Sequence, residues 1–176
     1  MENNIKEERI KGYFINAAKE IIRGEGIVAL NVRNIAERAA YSPATLYAYF
    51  KDLNDLIKEC VDSFINEFSD YLVEEMKSNK DNFYKAYYTY YTRYFIQYAG
   101  IYQLLFIEAN PILKNNTTLA LKIMNIPKKI NPTYQYVDDQ YYYAVNGLLL
   151  IYMNRNNAMS FADFNIELSK ILGTDR

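Results

Sequence analysis

The fold of this chain is decided by residues 31–50, which read NVRNIAERAAYSPATLYAYF. Asn31 is a good N-cap for a short helix that ends near Ala40. Ser42 and Pro43 then begin a second short helix, because serine is favoured at the N-cap and proline at the first helical position. The stretch therefore predicts two short helices joined by a tight turn.

Helical periodicity continues on both sides of this stretch. Apolar residues recur at three- and four-residue spacing from Ile10 to Ile22, and again from Leu53 to Met76, after Asp52 as a cap. A tyrosine-rich helix is predicted from the polar run 78–82 to about Ala99. Further helices are predicted at 101–109, 112–124, 135–155 and 161–172, with a bend at Gly100 and a connecting segment from Pro127 to Pro132. No strand pattern competes, so the sequence predicts an all-α fold.

Composition excludes most enzymatic chemistry. The chain has 176 residues, of which 51% are hydrophobic, so it is long enough to bury a core. It has no histidine and one cysteine, Cys60, and therefore cannot assemble a Ser-His-Asp triad, a Cys-His pair or an ordinary zinc site. It contains no P-loop or GxGxxG motif. We expect no catalytic residues, no metal and no cofactor.

The same features indicate where the protein works. The longest apolar stretch, Ala144–Met153, is far shorter than the roughly 18 residues that a membrane span requires. The charged N-terminus leads into no apolar secretory segment. We expect a soluble cytoplasmic protein without a membrane partner.

Two short helices joined by a tight turn are the parts of a helix-turn-helix, whose second helix can enter a DNA major groove. An ordinary helical corner would give the same pattern. Residues 1–60 carry nine Lys or Arg and nine Asp or Glu, so a DNA-binding face would have to arise from local segregation of charge and from hydroxyl donors.

The N-terminal residues also resemble the tetracycline-repressor (TetR) family of DNA-binding regulators. The resemblance covers about residues 8–60, with the family's spacing intact; beyond residue 60 it is one of length and helical layout. The matching residues are Ala17, Ala18, Gly26, Val32, Ile35, Ala36, Ala39, Ser42, Thr45, Leu46, Tyr47, Phe50 and Leu56.

Five positions depart from the family pattern. Asn31 replaces the usual threonine but can still cap the helix. Ala40 and Ala44 stand where glycine is usual, and Tyr49 stands where histidine is common. Leu53 replaces a usual phosphate-binding lysine, for which Lys51 can substitute from a different angle.

The resemblance implies a DNA-binding domain at residues 1–52 and a helical regulatory and dimerisation domain at residues 53–176. Thr45, Ala48 and Tyr49 are expected to face the groove, and Tyr47 and Lys51 to contact phosphates. The full set of predicted DNA-binding residues is Asn31, Arg33, Ser42, Ala44, Thr45, Tyr47, Ala48, Tyr49 and Lys51.

A stripe of tyrosines at helical spacing predicts a ligand pocket in the regulatory domain, because tyrosine combines an apolar ring with a hydroxyl that needs a partner. A plain aromatic core is the alternative. The predicted ligand-binding residues are Tyr87, Tyr91, Tyr94, Tyr98, Tyr102 and Glu108.

Together these features predict a homodimeric, ligand-responsive transcriptional regulator, a repressor released from a palindromic DNA operator by a small-molecule inducer. The alternative is a helix-turn-helix interaction or corepressor module that binds DNA weakly. Dimerisation is expected through the apolar residues of the last two helices, namely Tyr141, Val145, Leu148, Leu149, Tyr152, Phe161, Phe164, Leu168, Ile171 and Leu172.

Overall fold

The computed structural model describes residues 2–77, 82–107, 122–133, 139–154 and 159–173. The regular structure in these ranges is helical, which confirms the predicted all-α class. The helices are α1 (Glu2–Gly24), α2 (Val32–Arg38), α3 (Pro43–Tyr49), α4 (Leu53–Met76), α5 (Phe83–Gln97), α6 (Ala99–Tyr102), α7 (Ile126–Ile130), α8 (Asp139–Met153) and α9 (Phe161–Ile171). A short 3-10 turn at Ile27–Ala29 follows α1, and a π-helical segment at Gln103–Ile107 follows α6.

The chain divides into two compact units, of which the first contains α1, α2 and α3. The first unit comprises residues 1–67 and 98–123, and the second comprises residues 68–97 and 124–176. The start of α4 therefore belongs to the same unit as the two short helices. The functional division between residues 1–52 and residues 53–176 stays a prediction.

An aromatic side chain on α1 organises the first unit. Phe14 is fully buried, and its ring lies 5.4 Å from the ring of Tyr41 and 6.3 Å from that of Phe50, centroid to centroid. Leu46 of α3 is also fully buried. Because a helix of seven residues is marginal by itself, these tertiary contacts supply most of the stability of α3.

Charged side chains connect α1 to the middle of α4. Lys19 is buried, and its ammonium group donates to Ser63 Oγ at 2.6 Å and forms an ion pair with Glu67. Arg23, one turn later on α1, pairs with the other carboxylate oxygen of Glu67. A buried ammonium is tolerable only when it is paired in this way.

Glycine is required where α6 crosses the end of α1. A Cβ atom at position 100 would lie 1.9 Å from the carbonyl oxygen of Ile22, so no larger residue fits that approach. The expectation that Gly100 marks the bend is wrong. The chain breaks at Tyr98 (φ −118°, ψ 60°), and Gly100 lies inside α6 because the packing needs its missing side chain.

Two further segments differ from expectation. The predicted helix at 101–109 is split, since α6 ends at Tyr102 and a π-helical segment follows. The segment from Pro127 to Pro132 is not simply a connection, because α7 begins at Ile126 with Pro127 in its first turn, where proline costs no hydrogen bond. Most of the predicted helix at 112–124 lies outside the described residues.

Candidate DNA-binding site and regulatory cavity

Both short helices begin at the predicted caps. The Asn31 side-chain oxygen accepts a hydrogen bond from the Asn34 amide at 2.9 Å, at the start of α2. The Ser42 hydroxyl accepts one from the Thr45 amide at 3.1 Å, at the start of α3. These bonds satisfy amide donors that a helix leaves unpaired at its first turn.

A left-handed residue makes the turn between α2 and α3. Ala40 has φ 59°, and its amide donates to the Glu37 carbonyl at 3.1 Å. The next amide, that of Tyr41, donates back to the Ala36 carbonyl at 2.9 Å. This pair of bonds is the Schellman pattern, in which glycine is the usual left-handed residue. The alanine at position 40 therefore holds a strained backbone conformation.

The exposed face of α3 carries small side chains and one aromatic side chain. Ala44 and Ala48 are exposed, and the Tyr47 side chain is 55% exposed. Leu46, on the opposite side of the helix, is fully buried. The phenol of Tyr47 is thus presented to solvent by a helix that is anchored from behind.

The other two residues expected in the groove are partly engaged within the protein. Thr45 is half-buried, and its hydroxyl lies 2.9 Å from the Ser42 hydroxyl. Tyr49 is also half-buried, and its ring centroid lies 6.5 Å from that of Phe14. Their roles in base recognition stay predictions.

The cationic groups around the turn differ in their availability. Arg38 is paired with Glu25 at 2.7 Å. Arg33 and Lys51 are exposed, and neither side chain forms an ion pair with the described residues. Arg33 and Lys51 can therefore bind a DNA phosphate without breaking an intramolecular ion pair.

The tyrosines of α5 that were expected to line a pocket pack against other rings. Tyr87, Tyr91 and Tyr94 are almost completely buried in the second unit. The ring of Phe68 lies 5.4 Å from that of Tyr91 and 4.9 Å from that of Tyr94. The Tyr91 hydroxyl donates to Asn146 Oδ1 at 2.9 Å. Their contacts are those of an aromatic core, and a ligand-binding role stays a prediction.

The remaining predicted pocket residues belong elsewhere. Tyr98 and Tyr102 lie in the first unit, where Tyr102 is buried with its ring 4.9 Å from that of Phe106. The Arg23 guanidinium lies 5.7 Å from the centre of the Tyr98 ring. Glu108 lies outside the described residues.

A cavity lies against a different face of α5. It occupies about 280 Å³ of the second unit, between α5 and α9. Residues that line it include Thr89, Thr92, Arg93, Phe164, Asn165 and Leu168. The sequence analysis does not predict this cavity. Thr89 and Arg93 share a helical face, but nothing in the sequence indicates which helix covers that face.

The last two helices expose apolar side chains, but not mainly those that were expected. Among the expected residues, Val145, Leu148, Leu149, Phe164 and Leu168 are buried within the chain. The large apolar side chains that α8 and α9 expose are Tyr143, Leu150, Ile151, Phe161 and Ile166.

The capped helices, the tight turn and the exposed face of α3 define the class of the protein, a helix-turn-helix transcriptional regulator. Residues 14–60 match the model of the family described as bacterial regulatory proteins, tetR family. The match runs from within α1 to the start of α4 and includes the whole helix-turn-helix. No curated protein sequence shows significant similarity to it.

Solved structures of the same fold match nearly the whole chain. A TetR family transcription regulator from Marinobacter aquaeolei VT8 is 16% identical, with a TM-score of 0.58 over 98% of this chain and 97% of that one. The fatty acid degradation regulator FadR from Bacillus halodurans is 18% identical, with a TM-score of 0.60 over 95% and 96%. NalD, the secondary repressor of the MexAB-OprM multidrug efflux pump in Pseudomonas aeruginosa, is 13% identical, with a TM-score of 0.51 over 99% and 95%.

Proposed function

We propose that the chain represses transcription by binding a palindromic DNA operator as a homodimer, and that a small molecule releases it. The proposed activity is binding, and we assign no reaction to the chain. None of the described helices is long and apolar enough to cross a membrane. A repressor must reach its DNA operator, so we propose that the protein is cytoplasmic.

The exposed face of α3 is the observation that carries this proposal. Tyr47 is more than half exposed on a helix whose opposite side is buried in the core of the first unit. A phenol can donate to a phosphate oxygen, and the methyl groups of Ala48 and Thr45 can contact a thymine methyl. Neutral residues of this kind allow DNA binding despite the balanced charge of the N-terminal residues.

DNA binding is tested by selecting bound duplexes from a random pool and measuring affinity for the selected sequence. Tyr47→Phe removes the proposed phosphate donor, and Lys51→Ala removes a cation. Both variants should weaken binding to all duplexes, and Lys51→Ala should reduce the salt slope by about one. Thr45→Val and Ala48→Ser should instead change which base is preferred, because base contacts specify and phosphate contacts position.

Lys85→Ala is the matched control, because Lys85 is an exposed lysine of α5 in the second unit. It should bind the selected duplex like the parent. If the parent enriches no sequence, the chain is the alternative, an interaction module with weak DNA binding. If all four variants in the first unit bind like the parent, the contact assignment is wrong.

Dimerisation is proposed through the exposed apolar residues Tyr143, Leu150 and Ile151 of α8 and Ile166 of α9. Leu150 and Ile151 are 50% and 57% exposed, and Ile166 of α9 is 51% exposed. A homodimer with two-fold symmetry would cover such a surface with the same surface of a second copy. It would also present two copies of α3 to the half-sites of a palindrome, about 34–36 Å apart or a multiple of that.

Sedimentation of an Ile151→Asp variant tests this interface. A carboxylate in an apolar contact loses its hydration without a partner, so the variant should be a monomer where the parent is a dimer. Asn66→Asp adds the same group at an exposed position of α4 in the first unit and should stay dimeric. A parent that is monomeric at all concentrations contradicts the proposal.

The third part of the proposed function is release from the operator by a small molecule. It is supported by the family and by the cavity of the second unit. A ligand can shift operator affinity only by its differential affinity for the two states of the protein. The test is operator affinity measured with and without each compound that binds the chain.

A further inference from the structure

The cavity between α5 and α9 has one charged group on its wall. Arg93 is exposed, and no carboxylate of a described residue lies within ion-pairing distance of its guanidinium. The guanidinium lies 5.3 Å from the centre of the Tyr90 ring, and its charge opposes the rise that burial and Glu75 cause in the pKa of Tyr71.

The hydroxyl groups beside Arg93 already have acceptors. Thr89 donates to the carbonyl of Lys85 at 2.7 Å, and Thr92 donates to the carbonyl of Thr89 at 3.0 Å. Both hydroxyls can offer only lone pairs to a ligand. Arg93 is the one charged donor among the residues that line the cavity, and the planar fork of its guanidinium matches a carboxylate with two parallel hydrogen bonds.

The rest of the wall is largely apolar. Phe164 and Leu168 of α9 are almost completely buried, and Ile96 of α5 lies three residues beyond Arg93. Phe161 also lines the cavity although it is 57% exposed, so an apolar body bound there would remove its ring from water. The volume of about 280 Å³ lies just below the range of roughly 300–1,000 Å³ of sites for drug-sized molecules, which favours a small ligand.

We propose that this cavity binds a small amphipathic carboxylate, with the carboxylate on Arg93 and the apolar part between Ile96, Phe164 and Leu168. The site is separate from the tyrosines Tyr87, Tyr91 and Tyr94, which pack in the aromatic core. Its effect on the operator rests on the proposed function, whereas binding itself does not.

Calorimetry of the full chain with three compounds of one skeleton tests the charge requirement. Phenylbutyrate carries the carboxylate, phenylbutanol is neutral, and phenylbutylamine is cationic. Phenylbutyrate should bind once per chain, and at least ten times more tightly than either of the others. Equal affinities for the three compounds, or no binding of phenylbutyrate at millimolar concentration, would overturn the proposal. A cavity filled by a second copy of the chain would give the latter result.

Two substitutions on α5 locate the site. Arg93→Met keeps the length of the side chain and removes its charge, so it should weaken phenylbutyrate binding at least tenfold. Lys85→Met makes the same change at an exposed lysine that does not line the cavity, and it should bind like the parent. Both residues are exposed, and thermal unfolding without ligand checks that both variants are folded. Unchanged binding by the folded Arg93→Met variant would overturn the proposal.

Operator affinity distinguishes this proposal from the proposed function. If phenylbutyrate binds through Arg93 and leaves DNA affinity unchanged, the cavity is confirmed and its role in release is wrong. If no operator is found at all, the calorimetric result still decides the cavity, because it requires no DNA.

Discussion

Replacing Ala40 by glycine is expected to stabilise the protein. Ala40 has φ 59° in the turn between α2 and α3, and its methyl group is exposed, so its removal sacrifices little buried surface. An L-residue in this region brings Cβ close to the following carbonyl oxygen, which costs about 1–2 kcal/mol. Glycine has no Cβ and avoids that cost.

The conformational entropy of the unfolded chain reduces this gain in stability. Glycine has more conformational freedom to lose on folding, which costs about 0.5–1 kcal/mol relative to alanine. The difference leaves a net stabilisation of about 0–1.5 kcal/mol for Ala40→Gly, with a midpoint of about 0.75 kcal/mol. For a chain of this length the midpoint corresponds to a rise in Tm of about 1.5–3 °C.

Ala39→Gly is the matched control. Ala39 precedes Ala40 in the same turn but has φ −76°, so there is no left-handed strain to relieve. Its replacement should lower the free energy of unfolding by about 0.5–1 kcal/mol, through the entropy of the unfolded chain. Thermal and urea unfolding would be measured at one protein concentration without DNA. Changes of the same sign in both variants would refute the reasoning.

Two further changes probe the packing of the first unit. Gly100→Ala forces the backbone of α6 away from the Ile22 carbonyl and should destabilise the protein by about 1–3 kcal/mol in urea unfolding. Gly12→Ala, inside α1 with open space around the new methyl group, should instead stabilise it by about 0.5–1 kcal/mol, and a loss at both positions would contradict this. Burial raises the pKa of the Cys60 thiol to about 12, so the folded protein should resist iodoacetamide at pH 8 and react after unfolding in urea. Because the unfolded thiol titrates near its ordinary pKa, this residue also makes stability fall as the pH rises above about 9. Rapid alkylation of the folded chain would contradict both expectations.

The sequence by itself determined the local structure of the N-terminal residues. Asn31, Ser42 and Pro43 act through hydrogen bonds and dihedral preferences within a few residues, and these do not depend on the rest of the fold. The buried side of α3 was likewise readable, because the spacing of Leu46 and Phe50 places both on one face. For the same reason the all-α class and the helix-turn-helix followed from the sequence.

Only the tertiary structure decided what each helical face contacts. Periodicity places Tyr87, Tyr91 and Tyr94 near one another on α5, but an aromatic core and a ligand pocket have the same period. The structure shows that the rings of Tyr91 and Tyr94 contact Phe68, and a ligand-binding role for these tyrosines stays a prediction. Gly100 shows the same limit, since a glycine needed for close packing cannot be distinguished in the sequence from one needed for a turn.

The cavity between α5 and α9 could not be predicted from the sequence. Arg93 is one cation on the polar side of a helix, and Asn165 is one amide on another helix far along the chain. Neither residue is unusual by itself. They become parts of one wall only because α9 packs beside α5, and that choice is made by non-local burial of apolar surface such as Phe164 and Leu168.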